Sequence, residues 1–195
     1  MTNLLSFAIA PVLICLTSLP ISSLPRQQHP APALTASQKV TVKAFEKRVK
    51  DYVSLRESLE RKLPSLSTDA KPEEIEAHKK VFEESVRKAR ANAKRGDVLT
   101  PDIAGYIRTT LKTEFKGTDR KEVRQTVLEA DTKGVPLRVN YPYPETKELA
   151  QVPPTVLLKL PQLPKQVRYR FVRSHLLLVD RENGLIVDYM ENALP

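Results

Sequence analysis

The apolar residues of this chain change their spacing once, near Gly134. Before that point they recur every three or four residues, which is typical of helices with one buried face. After it they alternate with polar residues, which is typical of strands buried on one side. In a chain of 195 residues this order predicts an α+β fold, with about four helices followed by a small antiparallel β-meander packed on the helical layer.

The first helix is predicted over Ser37–Lys62, and Pro64 ends it. Its apolar stripe has near-heptad spacing and is interrupted once, by Arg56. The stripe consists of Val42, Phe45, Val49, Tyr52, Leu59 and Leu63. Such a stripe packs against the rest of the domain or, as an alternative, forms a coiled coil with a partner, so that the chain would act as a subunit or helper.

Three further helices are predicted from start and stop signals. They begin after the cap residues Asp69, Thr100 and Asp119. The first of the three is expected over Pro72–Arg95, with Gly96 as its stop. The predicted buried stripes are Ile75, Phe82, Val86 and Ala89 in this helix and Ile103, Ile107, Leu111 and Phe115 in the next.

The last third of the chain is rich in proline and contains the clearest strand patterns. A short strand is predicted over Val135–Asn140, and Pro153 with Pro154 opens a brief helical turn. A meander of three strands follows, over residues 167–171, 176–179 and 185–190. Asn183-Gly184 is a strong hairpin signal and places the turn between the last two of these strands.

Strand alternation assigns the side chains of the first meander strand to two faces. Tyr169 and Phe171 are expected to face the core, whereas Arg168 and Arg170 are expected on an exposed face. The adjacent Ser174 and His175 would point to opposite faces, so they are not predicted to act as a nucleophile and its base.

The end of the chain resembles the ending of a group of uncharacterised exported bacterial proteins. The resemblance covers roughly the last 35 residues and rests on the patterns Leu160-Pro161-x-Leu163-Pro164, Tyr169-Arg170-Phe171, Leu176-x-Leu178-x-Asp180 and Gly184-Leu185-Ile186-Val187-Asp188. It implies a location in the cell envelope and no particular activity.

An apolar run at the beginning of the chain predicts export. Leu4–Leu19 suits the core of a signal peptide and is shorter than the ~20 residues of a membrane span. Pro11 interrupts it, and the bulky Ile14 before Cys15 argues against a lipoprotein signal. An uncleaved membrane anchor is the alternative.

The expected organisation is therefore a signal peptide over residues 1–23, a flexible Pro/Gln-rich leader over 24–36, a helical region over 37–134 and the β end over 135–195. The last two form one globular unit. The mature protein is expected to be periplasmic or secreted, and to meet a membrane only through the signal segment before cleavage.

The net charge is +9, and its excess lies early in the chain, where residues 24–64 contain nine basic and four acidic residues. The candidate surface-binding residues are Lys43, Lys47, Lys50 and Arg61 on the first helix and Arg168 and Arg170 on the meander. The leading hypothesis is a non-enzymatic binding or interaction protein of the cell envelope. Its partner would be a protein or an anionic envelope component. No nucleic-acid partner is expected, because few aromatic residues lie between the basic ones.

Catalytic motifs are not found in the sequence. Its five glycines are far apart, which excludes Gly-rich phosphate-binding and dinucleotide-binding loops. With three histidines and the one cysteine in the signal segment, no metal site and no cofactor are predicted. The alternative function is an envelope hydrolase that uses Asp or Glu together with Arg168 and Arg170, because carboxylates can be brought together by folding.

Overall fold

The computed structural model of the chain describes residues 34–116, 125, 128, 134–147 and 149–194. They belong to one structural unit, Leu34–Pro195. The predicted signal peptide, nearly all of the leader and all but two residues of the predicted fourth helix lie outside the described residues, so these predictions stay predictions.

Three long helices come first among the described elements: α1 (Ala36–Glu60), α2 (Pro72–Ala89) and α3 (Pro101–Glu114). The start of α1 is set by a capping box, in which the Thr35 hydroxyl accepts from the backbone N–H of Gln38 and the Gln38 side chain accepts from the backbone N–H of Thr35. The prediction of α1 and of the Thr100 cap of α3 is confirmed. None of the helices that the structure describes combines the length and apolar character needed to cross a membrane.

The predicted start of α2 at Pro72 is confirmed, but its predicted cap and its predicted end are wrong. Its cap is Lys71 rather than Asp69, and it ends at Ala89 rather than Arg95. The early end follows from contacts with distant segments, because the Asn140 side chain donates to the Arg90 carbonyl oxygen and the Asp188 carboxylate accepts from the backbone N–H of Gly96.

Two of the residues predicted for the buried stripe of α2, Ile75 and Ala89, are exposed. They lie in the first turn and at the last residue of α2. The middle of the stripe is buried as predicted, since Phe82 and Val86 pack against Leu185.

Four antiparallel strands form one sheet in the order β1-β2-β3-β4. They are β1 (Ala150–Gln151), β2 (Val167–Val172), β3 (His175–Asp180) and β4 (Ile186–Met190). The predicted three-stranded meander is present, and the two-residue β1 adds a fourth strand at its edge. The short helix α4 (Pro154–Leu157) connects β1 to β2 and corresponds to the predicted helical turn.

The strand predicted over Val135–Asn140 is wrong, because no strand is assigned there. Asn140 has a φ of +64°, which bends the chain, and Pro136 has no N–H with which to join a ladder. The chain meets the sheet only at the end of this segment and beyond it: the Asn140 N–H donates to the Ile186 carbonyl oxygen at 2.8 Å, and Pro142 forms an isolated bridge with Leu185.

Both faces of the sheet are covered. On the first face Tyr169 and Phe171 are buried against the stripes of α1 and α3, as predicted. On the second face Val172, Leu177, Val179 and Ile186 pack with Tyr143 and the partly buried Val135, Leu137, Leu149 and Tyr189. The apolar stripe of α1 is thus used inside its own chain.

The interruption of the α1 stripe is explained by a buried ionic network. The Arg56 Nε donates to Asp180 Oδ2 at 2.8 Å, and the Tyr52 hydroxyl donates to the same oxygen at 3.0 Å. Arg56 also pairs with Glu60 at 2.7 Å and with Glu182. Burial alone would lower the pKa of Arg56, but the three carboxylates raise it above its ordinary value.

Candidate functional site

A basic cleft of about 370 Å³ opens where the end of α2 meets residues 138–141 and β4. Its lining consists of Arg87, Arg90, Ala91, Ala93, Lys94, Arg95, Arg138, Val139, Asn140, Tyr141 and Tyr189. Five of these side chains are cationic and none is a carboxylate. We call this site the basic cleft.

Arg90 is the C-cap of α2 and is partly buried within the cleft. One of its terminal nitrogens donates to Asn140 Oδ1 at 2.6 Å and the other to the Val187 carbonyl oxygen at 3.1 Å. Its guanidinium also lies over the Tyr52 ring, 5.1 Å from the ring centroid. These contacts fix the guanidinium but leave its charge without a neutralising partner.

No carboxylate pairs with Arg90 among the residues that the structure describes. Burial therefore lowers the pKa of Arg90 from its usual value, although Asp188 and Asp97 act in the opposite direction. A partly desolvated cation that is hydrogen-bonded only to neutral oxygens has a strong preference for an anion nearby. Such an anion could be a ligand.

Two tyrosines form aromatic walls of the cleft. Tyr141 is stacked with Arg138 at 3.9 Å and with Arg87 at 5.2 Å from its ring centroid. Tyr189 lies 5.7 Å from the guanidinium of Arg95. Stacking of this kind holds guanidinium groups in fixed planes while their N–H edges stay available.

The cations of the cleft differ in how far they are neutralised. Arg87 pairs with Glu83 at 3.6 Å, and Arg95 pairs with Glu191. Lys94 and Arg138 have no carboxylate partner within the described part of the chain. Together with Arg90 they leave three uncompensated positive charges around one opening.

This arrangement suits a small ligand that carries an oxyanion group. Guanidinium forks form charge-assisted, paired hydrogen bonds with phosphate or carboxylate oxygens. The volume lies near the lower end of the ~300–1,000 Å³ typical of ligand pockets. The tyrosine walls would contact the uncharged part of such a ligand.

The four predicted α1 residues, Lys43, Lys47, Lys50 and Arg61, are all exposed and do not line the cleft. Lys47 is paired with Asp51 at 2.8 Å. The four are therefore a solvated face of the helix, and part of its charge is neutralised locally.

The predicted pair on the meander, Arg168 and Arg170, lies on the second face of the sheet. Neither is as exposed as the sequence suggested, because both are partly covered. Arg181, in the turn after β3, is close enough to affect Arg170 electrostatically. Arg181 itself lines a separate opening, together with Arg56, Lys165, Gln166 and Glu182.

The sequence did not predict the basic cleft, because the cations over residues 87–95 fall within the last turns of the helix predicted over Pro72–Arg95, where cations are common near the negative end of the helix dipole. The available signal was their density, since Arg87, Lys88, Arg90, Lys94 and Arg95 occur within nine residues. Their convergence with Arg138 and Tyr141 depends on contacts across more than forty residues, and the helix pattern contains no information about those contacts.

The other candidates for chemistry do not form a reactive group. Ser174 Oγ and the Nδ1 of His175 each contact Asn192, at 3.4 and 3.3 Å, rather than each other. Within the described part of the chain, no cluster of three or more His, Cys, Asp or Glu side chains could hold a metal ion.

Comparison with models of protein families, with curated proteins and with solved structures finds no match to this chain.

Proposed function

We propose that this chain is an exported, non-enzymatic binding protein that recognises an anionic component of the cell envelope through the basic cleft. The observation that carries the proposal is the partly buried charge of Arg90, which has only neutral hydrogen-bond partners and lies among further cations. A bound oxyanion would neutralise it where water is partly excluded, and this is where an ionic contact is strongest.

Export is part of the same proposal. It rests on the apolar run over Leu4–Leu19 and on the resemblance of the end of the chain to exported proteins. Anionic polymers and lipid headgroups are abundant in cell envelopes, and both present the oxyanions that a cleft of this kind would bind.

The cleft rather than α1 is proposed as the recognition site. The α1 lysines are exposed and separated along a helix face, and exposed charges contribute little binding energy each. The cations of the cleft, in contrast, line one opening together with the partly buried Arg90.

The test compares two variants that remove three positive charges each. The cleft variant carries Arg87→Gln, Lys94→Gln and Arg138→Gln, and the control variant carries Lys43→Gln, Lys47→Gln and Lys50→Gln. Binding to inorganic polyphosphate and to phosphatidylglycerol vesicles is measured against salt concentration. We expect the cleft variant to bind at least about tenfold more weakly than wild type, equivalent to ~1.4 kcal/mol, and the control to change by less than about threefold.

Equal losses of affinity in both variants would mean that net charge alone drives binding. A larger loss of affinity in the control would place the binding site on α1. Either result would contradict the proposal. The hydrolase alternative has no observation in its favour, because neither Arg168 nor Arg170 is paired with a carboxylate among the residues described.

A further inference from the structure

The connection between β1 and β2 carries the most exposed large apolar side chain that the structure describes. Leu158 is 85% exposed, and the preceding Leu157 is 41% exposed. Leu157 is the last residue of the short helix α4, which begins at Pro154, and Leu158 follows it. We call residues 153–160 the leucine turn. Two adjacent leucines in water lack the stabilisation that their burial would contribute.

The conformation of the leucine turn holds these two side chains outward. Val156 and Leu160, on either side of the pair, are buried in the core and anchor the turn. The N–H of Leu157 donates to the Pro153 carbonyl oxygen at 2.9 Å, and the N–H of Leu160 donates to the Leu157 carbonyl oxygen at 3.2 Å. Turning the leucines inward would break these hydrogen bonds and expose Val156 and Leu160. The pair is therefore fixed at the surface.

The sequence around the leucine turn contains only positive charges. Residues 149–179 include five Lys or Arg and no Asp or Glu. Lys159 directly follows the leucines, and Lys165 lies further along the same connection. Both lysines are exposed, and neither is paired with a carboxylate among the residues that the structure describes. Exposed apolar side chains next to uncompensated cations are typical of surfaces that bind anionic membranes.

We infer that the leucine turn is a docking surface for an anionic lipid membrane. Leu157 and Leu158 enter the boundary between headgroups and acyl chains, while Lys159 and Lys165 contact the headgroup phosphates. A free phosphate could pair with the lysines, but it offers no apolar phase to the leucines. Two leucines and two lysines give weak, reversible attachment rather than a permanent anchor.

This inference does not rest on the proposed function, since none of these residues lines the basic cleft. It differs from the sequence-based expectation, in which the chain meets a membrane only through its signal segment.

The test compares two variants that each remove two exposed apolar side chains. The leucine variant carries Leu157→Ser and Leu158→Ser. Its control carries Val40→Ser and Val81→Ser, at positions on α1 and α2 that are 69% and 50% exposed. Flotation with vesicles of equal parts phosphatidylglycerol and phosphatidylcholine measures membrane binding. We expect the leucine variant to bind at least about tenfold more weakly than wild type, and the control to change by less than about twofold.

A local probe shows which part of the chain enters the membrane. An environment-sensitive fluorophore is attached at Leu158→Cys or, as a control, at Val40→Cys, each in a chain that also carries Cys15→Ser. We expect the mixed vesicles to shift the emission of the first fluorophore to shorter wavelengths and to leave that of the second unchanged. Inorganic polyphosphate should shift neither, because it has no apolar phase.

The role of charge is tested with the lysines. Lys159→Gln with Lys165→Gln should weaken binding to the mixed vesicles at least about fivefold. The same change should leave binding to pure phosphatidylcholine vesicles within about twofold, because their headgroups carry no net charge. Equal binding of the wild type to both kinds of vesicle would contradict the assignment to an anionic membrane.

The leucine variant changes only exposed side chains, so it should unfold at the same temperature as wild type and report binding in a folded chain. Equal losses of vesicle binding in the leucine variant and its control would overturn the inference, and so would an unshifted fluorophore at position 158. A wild-type dimer in sedimentation that the leucine variant does not form would assign the turn to a second copy of the chain, and would also overturn it.

Discussion

At the scale of single residues, two fully buried aspartates connect segments that are distant in the sequence. Asp188 accepts four backbone N–H groups, those of Gly96, Val98, Leu99 and Tyr189, at 2.8–2.9 Å. It thereby fixes the turn that follows α2 and, with it, the backbone that carries Lys94 and Arg95 in the basic cleft. Asp180, at the end of β3, holds α1 against the sheet, because its Oδ2 accepts from the side chains of Arg56 and Tyr52.

Asp180→Asn isolates the role of this charge. The amide oxygen can still accept from the backbone N–H groups of Glu182 and Asn183, as Asp180 Oδ1 does. Arg56, however, loses its buried partner and keeps only the more exposed Glu60 and Glu182, so the change should cost ~1–3 kcal/mol. We expect a decrease of about this size in the free energy of unfolding, measured by urea denaturation.

The matched control is Asp51→Asn, which breaks the exposed pair with Lys47. An exposed pair contributes ~0–1 kcal/mol, so this variant should unfold close to wild type. If the two variants are equally stable, the Arg56–Asp180 pair does not hold α1 to the sheet.

His175 gives the fold a dependence on pH. Partial burial, with Arg173 and Arg95 nearby, lowers the pKa of His175 below 6.5 in spite of the opposing Glu191. The unfolded chain then binds a proton near pH 6.5 that the folded chain does not yet bind. The contribution of His175 to stability is therefore present above pH 6.5 and is lost as the pH falls from there to the folded pKa.

Two measurements check this. The carbon-bound ring protons of His175 should titrate below pH 6.5 in the folded protein, and His175→Gln should flatten the decrease in unfolding free energy between pH 7 and pH 5. A folded pKa at or above 6.5 would contradict the assignment. Protonation would also remove the Nδ1 acceptor that the Asn192 N–H uses.

At the scale of secondary-structure elements, the β3–β4 hairpin depends on one backbone conformation. Gly184 has a φ of +67°, and a Cβ placed there would meet nothing closer than 3.9 Å. The cost of Gly184→Ala is therefore conformational rather than steric crowding, about 1–2 kcal/mol.

Gly105→Ala is the control with the opposite sign. Gly105 lies inside α3, is exposed, and has nothing within 4 Å of an added Cβ. Alanine should stabilise the helix there by ~0.5–1 kcal/mol. Thermal or urea unfolding of both variants measures the change in unfolding free energy. We expect a decrease for Gly184→Ala and an increase for Gly105→Ala, and two changes in the same direction would contradict the role of Gly184 in the hairpin.

The elements that sequence alone could predict are those fixed by local rules. The stripe of α3, the cap at Thr100 and the hairpin turn ending at Gly184 are each determined by residues within a few positions of one another. The end of α2 and the path of residues 135–143 are not, because Asn140 and Asp188 set them from far along the chain.

The candidate sites, too, differ in how far local sequence patterns determine them. Alternation along β2 correctly paired Arg168 with Arg170, since that placement needs only the strand period. The basic cleft, by contrast, forms through the packing of residues 138–141 beside α2. The density of cations over residues 87–95 is a local signal for the cleft, but their convergence with residues 138–141 depends on contacts between distant parts of the chain.

At the scale of the whole molecule, the helices and residues 135–147 and 149 cover the two faces of the sheet, and within the described residues uncompensated positive charge remains in the basic cleft. The cations of α1, which the sequence predicted as a binding surface, are instead distributed over an exposed face of the helix. We therefore propose that anions are recognised in the basic cleft rather than on α1.

The most direct test of that claim is to map the binding site by backbone amide shifts during titration with inorganic polyphosphate. We predict the largest saturable shifts at residues 90–95 and 138–141, with the amides of residues 43–60 on α1 nearly unchanged. Shifts confined to α1, or the absence of saturable shifts at the cleft, would contradict the account.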